Sequence, residues 1–260
     1  MRHALCVGIN EYGSGSDLAG CVNDSDDWAA EFNSRGFDSV VILLDKDATG
    51  ANMRAAIQDL VARGAAGDTL VFQYSGHGTY VPDDDGDEPD GQDEALCPVD
   101  IFSKGPLVDD ELLQLYSQRK PNVKLVLISD SCHSGSVSRF MAPIAAQGSK
   151  VKFLPPASFL TQAQLAHAPR GFRWSVPVGR HAGLLLSGCA DPEYSYDAWF
   201  NGRPNGAFTR AALDALKTLP AGASYQRWHT AIRKKLPSSD YPQSPMLFGS
   251  SAMRRWHAFE

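Results

Sequence analysis

Five apolar runs rich in β-branched residues, His3–Ile9, Ser39–Leu44, Thr69–Tyr74, Lys124–Ser129 and Gly183–Leu186, are bounded by turn-forming residues, with Met246–Phe248 a weaker sixth. They are continuous rather than alternating, the pattern of strands covered on both faces of a parallel sheet. Helical patterns lie between them at Val22–Arg35, Ala51–Arg63, Asp109–Ser117, Ala207–Lys217 and Tyr225–Leu236. The second follows Asp47-Ala48-Thr49-Gly50, a capping sequence, and closes at Gly64. Alternating strands and helices predict an α/β fold, a mainly parallel central sheet of about six strands with helices on both faces.

Two long segments interrupt the alternation. One runs from Gly78 to about Pro106; the other spans Ser136 to Arg180, with prolines at 143, 155, 156, 169 and 177. Loops of that length inside a compact domain are usually functional or disordered. The second also carries Lys150, Lys152, Arg170, Arg173 and Arg180, expected on exposable backbone. No repeat breaks the chain, so residues 1–260 read as one domain: 1–140 and 181–260 as two parts, with 141–180 as linker.

Composition narrows the class. With 43% hydrophobic and 21% charged residues the chain is that of a globular protein, not a disordered one. Basic residues number 24 and acidic ones 30, a formal charge of −6, and the sign disfavours phosphate-driven nucleic-acid binding. Eight of the acids fall within Asp83–Glu94 (DDDGDEPDGQDE), so the rest of the chain sums to +2. The start lacks a signal-peptide apolar region, and no run is long enough to span a membrane. Five cysteines, an odd number with no C-x-x-C pair, predict reduced thiols and a cytoplasmic protein without structural zinc.

In open α/β sheets, sites form beyond the carboxyl ends of the strands. The run TLVFQY leads into Ser75-Gly76-His77-Gly78, and KLVLIS into Asp130-Ser131-Cys132-His133-Ser134-Gly135. If these strands are neighbours, a thiol and an imidazole meet, as a cysteine nucleophile requires, because a thiol of pKa ~8.5 needs a base or cation nearby. Gly76 and Gly78 let the backbone turn tightly and bring N–H groups towards a substrate oxygen. Either residue alone would be an ordinary buried thiol or structural histidine; the pair at two strand ends favours catalysis. His133 is a rival base, but neighbours on extended chain point apart, which favours His77.

The motifs GCVNDSDDW (20–28), YSGHGT (74–79), DGQDEALCPVD (90–100), VDDEL (108–112), DSCHSG (130–135), SGC (187–189) and NGAFT (205–209) stand in order along nearly the whole chain. His77 precedes Cys132 by 55 residues, near the caspase spacing of about 50. On these motifs the sequence resembles the metacaspases of the caspase-like cysteine protease clan, closest in layout to compact prokaryotic members. The resemblance implies a caspase-like three-layer sandwich and a cysteine endopeptidase with Cys132 as nucleophile and His77 as general base and acid. The N–H groups of Gly78 and Cys132 would form the oxyanion hole.

It further implies that Asp24 and Asp130, with Cys21 and Ser75 beside them, line an S1 pocket for arginine or lysine. A half-buried carboxylate pair is costly unless a cation arrives, which fits a basic P1 residue. The ordinary alternative for Asp24 is an acid in the first turn of its helix, favoured by the macrodipole. Asp93, Asp109 and Asp110 match calcium ligands of calcium-dependent relatives, but a fourth ligand position falls near Arg139, whose cation opposes the ion; a solvated acidic loop is the alternative. The linker, where caspase-like proteins divide into subunits, invites self-processing, expected after Arg170 or Arg173.

The expected partners are protein or peptide substrates with a basic P1 residue and a separate regulatory protein, on a monomer that binds neither nucleic acid nor membrane. The motif pattern begins within the first ten residues, so no preceding recruitment region is expected. A gingipain, separase or CHAT-type relative, and a catalytically idle interaction module, are the competing readings; VDDEL and DEALCPVD disfavour the first, the intact Cys132 and His77 the second.

Overall fold

The computed structural model describes residues 1–83, 91–132, 148–166, 182–190 and 193–260. In chain order the first half holds β1 (Arg2–Gly8), α1 (Cys21–Ser34), β2 (Ser39–Leu44), α2 (Gly50–Arg63), β3 (Thr69–Ser75), β4 (Gly78–Pro82), β5 (Gln92–Leu96), α3 (Ile101–Lys104), β6 (Leu107–Val108), α4 (Asp109–Ser117) and β7 (Lys124–Asp130). The second half holds β8 (Lys150–Val151), α5 (Gln162–Ala166), β9 (Leu184–Ser187), β10 (Tyr196–Phe200), β11 (Arg203–Gly206), α6 (Ala207–Leu216), α7 (Tyr225–Ile232), β12 (Met246–Phe248) and α8 (Ser251–Arg254).

Six strands form the central sheet in the order β12-β9-β7-β3-β1-β2, all parallel except β12, which runs against β9. β1, β3 and β7 are buried on both faces, so their alternate residues enter different cores, whereas the edge strand β2 leaves Val41 and Ile42 exposed. Leu5, Val7, Leu70, Phe72, Leu125 and Leu127 pack with Met53, Ile57 and Leu60 of α2 and Leu112 and Leu115 of α4. Ala4, Cys6, Val71, Val126, Ile128 and Leu186 pack with Trp28 and Phe32 of α1, Phe208 and Ala212 of α6 and Trp228 of α7. Two helical layers around one sheet make the expected α/β three-layer sandwich. The continuous apolar runs of β1, β3 and β7 are the consequence of this double burial; the equally apolar run of β2, expected to be covered on both faces, lies at the sheet edge and is partly exposed.

Boundaries shift by a residue or two at most strands. At α2, the Thr49 hydroxyl oxygen accepts the Asn52 N–H, capping the helix as its sequence predicts. The segments expected to be irregular are more structured. Gly78 to Pro106 contributes the hairpin β4–β5, joined by β6 in a second sheet, and β8, from the linker, joins β10 and β11 in a third. These strands are short and pair away from the central sheet, so they lack the double-buried signature. Among the described residues no helix is long and apolar enough to cross a membrane, and all five cysteines are buried without disulfides.

Candidate active site

The sheet register assembles the site. β3 and β7 are neighbours with Ser75 opposite Asp130, so His77 and Cys132 each follow the last paired position by two residues. The N–H groups of Gly78 and Cys132 both donate to one oxygen, the carbonyl of Lys152, at 3.0 and 3.1 Å. The residue after His77 and the cysteine itself therefore face a single point.

His77 is 4% exposed. Its Nε2 lies 2.7 Å from the Ser16 carbonyl. That carbonyl can only accept, so Nε2 carries the proton and Nδ1 is the free base. Nδ1 is buried and has no hydrogen-bond partner. The Tyr12 hydroxyl accepts the His77 N–H at 2.9 Å, and the two rings pack at 4.7 Å between centroids. Burial pushes the imidazole pKa down to about 4; the Ser16 carbonyl opposes this, and the nearby cations Lys152 and Lys150 reinforce it. The ring is thus neutral at pH 7 and able to take a proton. Ser16 and Tyr12 carried no sequence motif; backbone carbonyls have no residue signature.

Cys132 is fully buried, and the Ser195 N–H donates to its Sγ. Cys189 of the SGC motif lies beside it; a hydrogen bond between the two thiols, then burial, push the Cys189 thiol well up. Ser195 also sends its hydroxyl to Asp130 Oδ1, so one unflagged residue ties the nucleophile to the acid pocket.

Asp24 and Asp130 are fully buried together, and Lys152 fills the space between them. Its Nζ lies 3.0 Å from Asp24 Oδ2, 3.3 Å from Asp130 Oδ2 and donates to Ser75 Oγ at 2.8 Å. The expectation that Lys152 sits on exposed linker backbone is overturned: its side chain is 0% exposed, because two carboxylates replace its water. Asp24 also accepts from Ser75 Oγ, Asn205 Nδ2 and the Gly206 N–H, and Asp130 from the Thr209 N–H and hydroxyl. Burial alone would push the ammonium pKa down, but Asp130 and Asp24 outweigh it and hold Lys152 well above the usual lysine value. Asp24 is raised, by burial first and then by the like charge of Asp130, with Lys152 pulling the other way. Cys21 joins through a hydrogen bond to Ser75, its thiol pushed well up by burial. The NGAFT motif thereby gains a physical role: Asn205, Gly206 and Thr209 hold the two carboxylates. A Cβ on Gly206 would collide with both Asp130 Oδ2 and Lys152 Nζ, so only glycine leaves room for the cation.

The third predicted group lies elsewhere. Asp93 on β5 and Asp109 and Asp110 at the start of α4 are half-buried, and the β5–β6 pairing (Ala95 opposite Val108) brings them to one corner. Among the described residues, no three His, Cys, Asp or Glu side chains are grouped to hold a metal ion. His133, Arg139, Arg170 and Arg173 lie outside the described residues.

An acid-rich pocket, two N–H donors on one carbonyl oxygen, a thiol and a neutral imidazole form a constellation for acyl transfer. Comparison with known proteins agrees. The family described as metacaspase, peptidase C14 domain, matches residues 2–140. The chain is 33% identical to Metacaspase-1A of Aspergillus clavatus over 95% of its own length and 65% of that protein's, just under two thirds. It is 33% identical to Metacaspase-1 of Emericella nidulans, over 96% of this chain and 70% of that one. The crystal structure of protein GSU0716 from Geobacter sulfurreducens superposes with a TM-score of 0.74 at 30% identity, covering 99% of this chain and 98% of that one. The chain belongs to the metacaspase family of caspase-like cysteine peptidases.

Proposed function

We propose that this protein is a cysteine endopeptidase that cuts after lysine or arginine. The observation that carries the reading is the pair of fully buried carboxylates, Asp24 and Asp130, closed around an ammonium whose own carbonyl oxygen takes both the Gly78 and Cys132 N–H groups. In this reading Nδ1 of His77 takes the Cys132 thiol proton as sulfur attacks the P1 carbonyl carbon. The Gly78 and Cys132 N–H groups hold the oxyanion that forms. His77 then gives the proton to the departing amine, leaving a thioester that water hydrolyses.

The acid pocket sets specificity. An acidic P1 side chain would add a third negative charge to a fully buried pocket. A basic one supplies the charge that two buried carboxylates need, and breaking such a cluster typically costs ~3–5 kcal/mol. Peptides differing only at P1 test this. Lysine and arginine peptides should be hydrolysed by wild type and not by Cys132→Ala, with the aspartate peptide inert. Equal rates for aspartate and lysine would overturn the specificity. Calcium modulation through Asp93, Asp109 and Asp110 is a separate proposal, tested by the same assay with chelator and with millimolar calcium.

A further inference from the structure

We propose that Tyr80 and Tyr194 form a slot for an aromatic residue on the leaving-group side of the scissile bond, so that the peptidase selects the residue after the cut as well as the basic one before it. The inference rests on the basic-P1 reading above and adds to it a second determinant of specificity.

The site shows how a bound chain runs through it. Lys152 stands in for a P1 residue, because its ammonium lies between Asp24 and Asp130 and its carbonyl oxygen takes the Gly78 and Cys132 N–H groups. Phe153 and Leu154 then occupy the places of the two residues that follow the cut. Their backbone lies along β4. Phe153 and Gly78 form a parallel bridge, the Leu154 N–H donates to the Gly78 carbonyl at 2.9 Å, and the Thr79 hydroxyl donates to the Leu154 carbonyl at 2.7 Å. One residue, Gly78, thus gives its N–H to the P1 carbonyl and its carbonyl to the chain beyond it.

Strand alternation decides which side chain meets the phenyl ring. Gly78 and Tyr80 share a face of β4, so a bound chain that bridges to Gly78 passes the Tyr80 ring. That ring stacks on Phe153 with 6.1 Å between centroids and 16° between planes. Tyr194 adds a second ring at 6.3 Å, tilted by 45°. It comes from the loop between β9 and β10 and directly precedes Ser195, whose carbonyl takes the Lys152 N–H and whose own N–H donates to Cys132 Sγ. Burial, then Cys132, push the Tyr194 phenol up, which agrees with its place beside the nucleophile.

Both tyrosines are therefore carried by backbone that also sets the catalytic geometry. Phe153 is half-buried against them. Aromatic rings at these separations attract beyond the area they cover, because the electron-rich face of one meets the positive edge of another in offset and tilted arrangements. An aliphatic side chain in the same place gains burial alone.

Internally quenched peptides with lysine at P1, differing only in the next residue (phenylalanine, leucine or alanine), test the slot in wild type, Tyr80→Ala, Tyr194→Ala, Tyr80→Phe and Tyr194→Phe. The readout is the ratio of kcat/KM between peptides, which occupancy of the site by residues 150–154 leaves unchanged, because that segment competes with each peptide equally. Wild type should favour phenylalanine over alanine by about tenfold and over leucine by about threefold, the scale of aromatic pairing. Each alanine variant should bring phenylalanine level with leucine, whereas the phenylalanine variants should keep the wild-type ratios, since the ring and not the hydroxyl makes the contact. Should one alanine variant fail to fold, the other, carried by a different element, and the wild-type series still decide. A further peptide with proline two residues after the lysine has no N–H for the Gly78 carbonyl and should be cut about tenfold more slowly. Lysine peptides all cut at one rate whatever follows the lysine would overturn the slot while leaving the basic-P1 reading intact. A phenylalanine preference over leucine that survives both alanine variants would remove it from Tyr80 and Tyr194, and a proline peptide cut as fast as the others would overturn the path along β4. Hydrolysis of none of the lysine peptides by wild type would overturn the basic-P1 reading and the inference with it.

Discussion

Two groups of acids in this chain invite comparison. Asp93, Asp109 and Asp110 belong to the charge-rich stretches of the sequence, are half-buried and share a corner of the β4–β5–β6 sheet. Asp24 and Asp130 stand far apart in the sequence, yet are 0% exposed and share one ammonium. The difference lies in depth. Asp24 and Asp130 receive hydrogen bonds from Ser75, Ser195, Asn205, Gly206 and Thr209, groups drawn from β3, β11, α6 and a loop. Charge held at depth by fixed donors makes a selective site, because the low dielectric strengthens the interaction with the right cation and penalises its absence. Charge density along the chain measures neither depth nor donors.

The largest effect expected from breaking the comparison is at the nucleophile shared by every reading of the buried pocket. Cys132→Ala should reduce peptide hydrolysis by at least about 10³-fold, since no other group forms the covalent intermediate. Next come the pocket carboxylates. Asp130→Asn or Asp24→Asn should lower kcat/KM for a lysine peptide by about 10²–10³-fold, the scale of a buried pair losing one partner. Asp109→Asn, measured in chelator, should change it less than about twofold; parity between the two positions would erase the contrast drawn above. Gly206→Ala belongs with the buried group although it carries no charge. Its methyl would occupy the place of the cation between the carboxylates. Loss of basic-P1 hydrolysis with the protein still folded by circular dichroism is the expected result, and unchanged kinetics would mean that the pocket shifts more readily than its packing indicates.

A smaller effect comes from pH. With the site occupied by Lys152, the His77 pKa is about 4, lowered by burial first and by Lys152 and Lys150. The neutral ring is therefore kept to lower pH than a free histidine allows. Hydrolysis of a lysine peptide, whose ammonium takes the place of Lys152, should hold its rate from pH 7 down through the ordinary histidine range and fall only as pH approaches about 4. A single-turnover rate halved near the free-histidine value of about 6.5 would show the imidazole to be solvated instead. The same shift affects stability: the contribution of neutral His77 is complete above the unfolded pKa of about 6.5 and is lost as pH falls through about 4.

The inner strands were legible because double burial leaves continuous apolar runs, β2 was found from an apolar run that the fold leaves partly exposed, and the strand limits agree within a residue or two. Cys132 and His77 were read from strand ends marked by small residues and from their spacing, Asp24 and Asp130 only from the motifs that carry the family resemblance, and the structure brings Asp24 and Asp130 together around Lys152. What the sequence hid were interactions without a residue signature: the Ser16 carbonyl on His77, the Ser195 N–H on Cys132, and the two-residue strand β8. Lys152 was misread as exposed for a related reason. A lysine in a proline-rich linker is ordinarily solvated, and only partners 128 and 22 residues away in sequence make burial tolerable.

The smallest expected effect concerns the other acids. Calcium takes six to eight oxygen ligands, and the described residues hold no ready group of three acids. Calcium titrated to about 1 mM, the affinity range of weak sites, should change lysine-peptide hydrolysis by about threefold, the modulation proposed above. Asp109→Asn should flatten whatever response remains, whereas Asp130→Asn should lower the rate at every calcium concentration alike. A stimulation above about tenfold, abolished by Asp109→Asn, would place the half-buried acids in control of the fully buried ones. The comparison would then become one of two coupled sites, with the ion's charge at the β5–α4 corner acting on a pocket that the fold otherwise keeps closed by its own lysine.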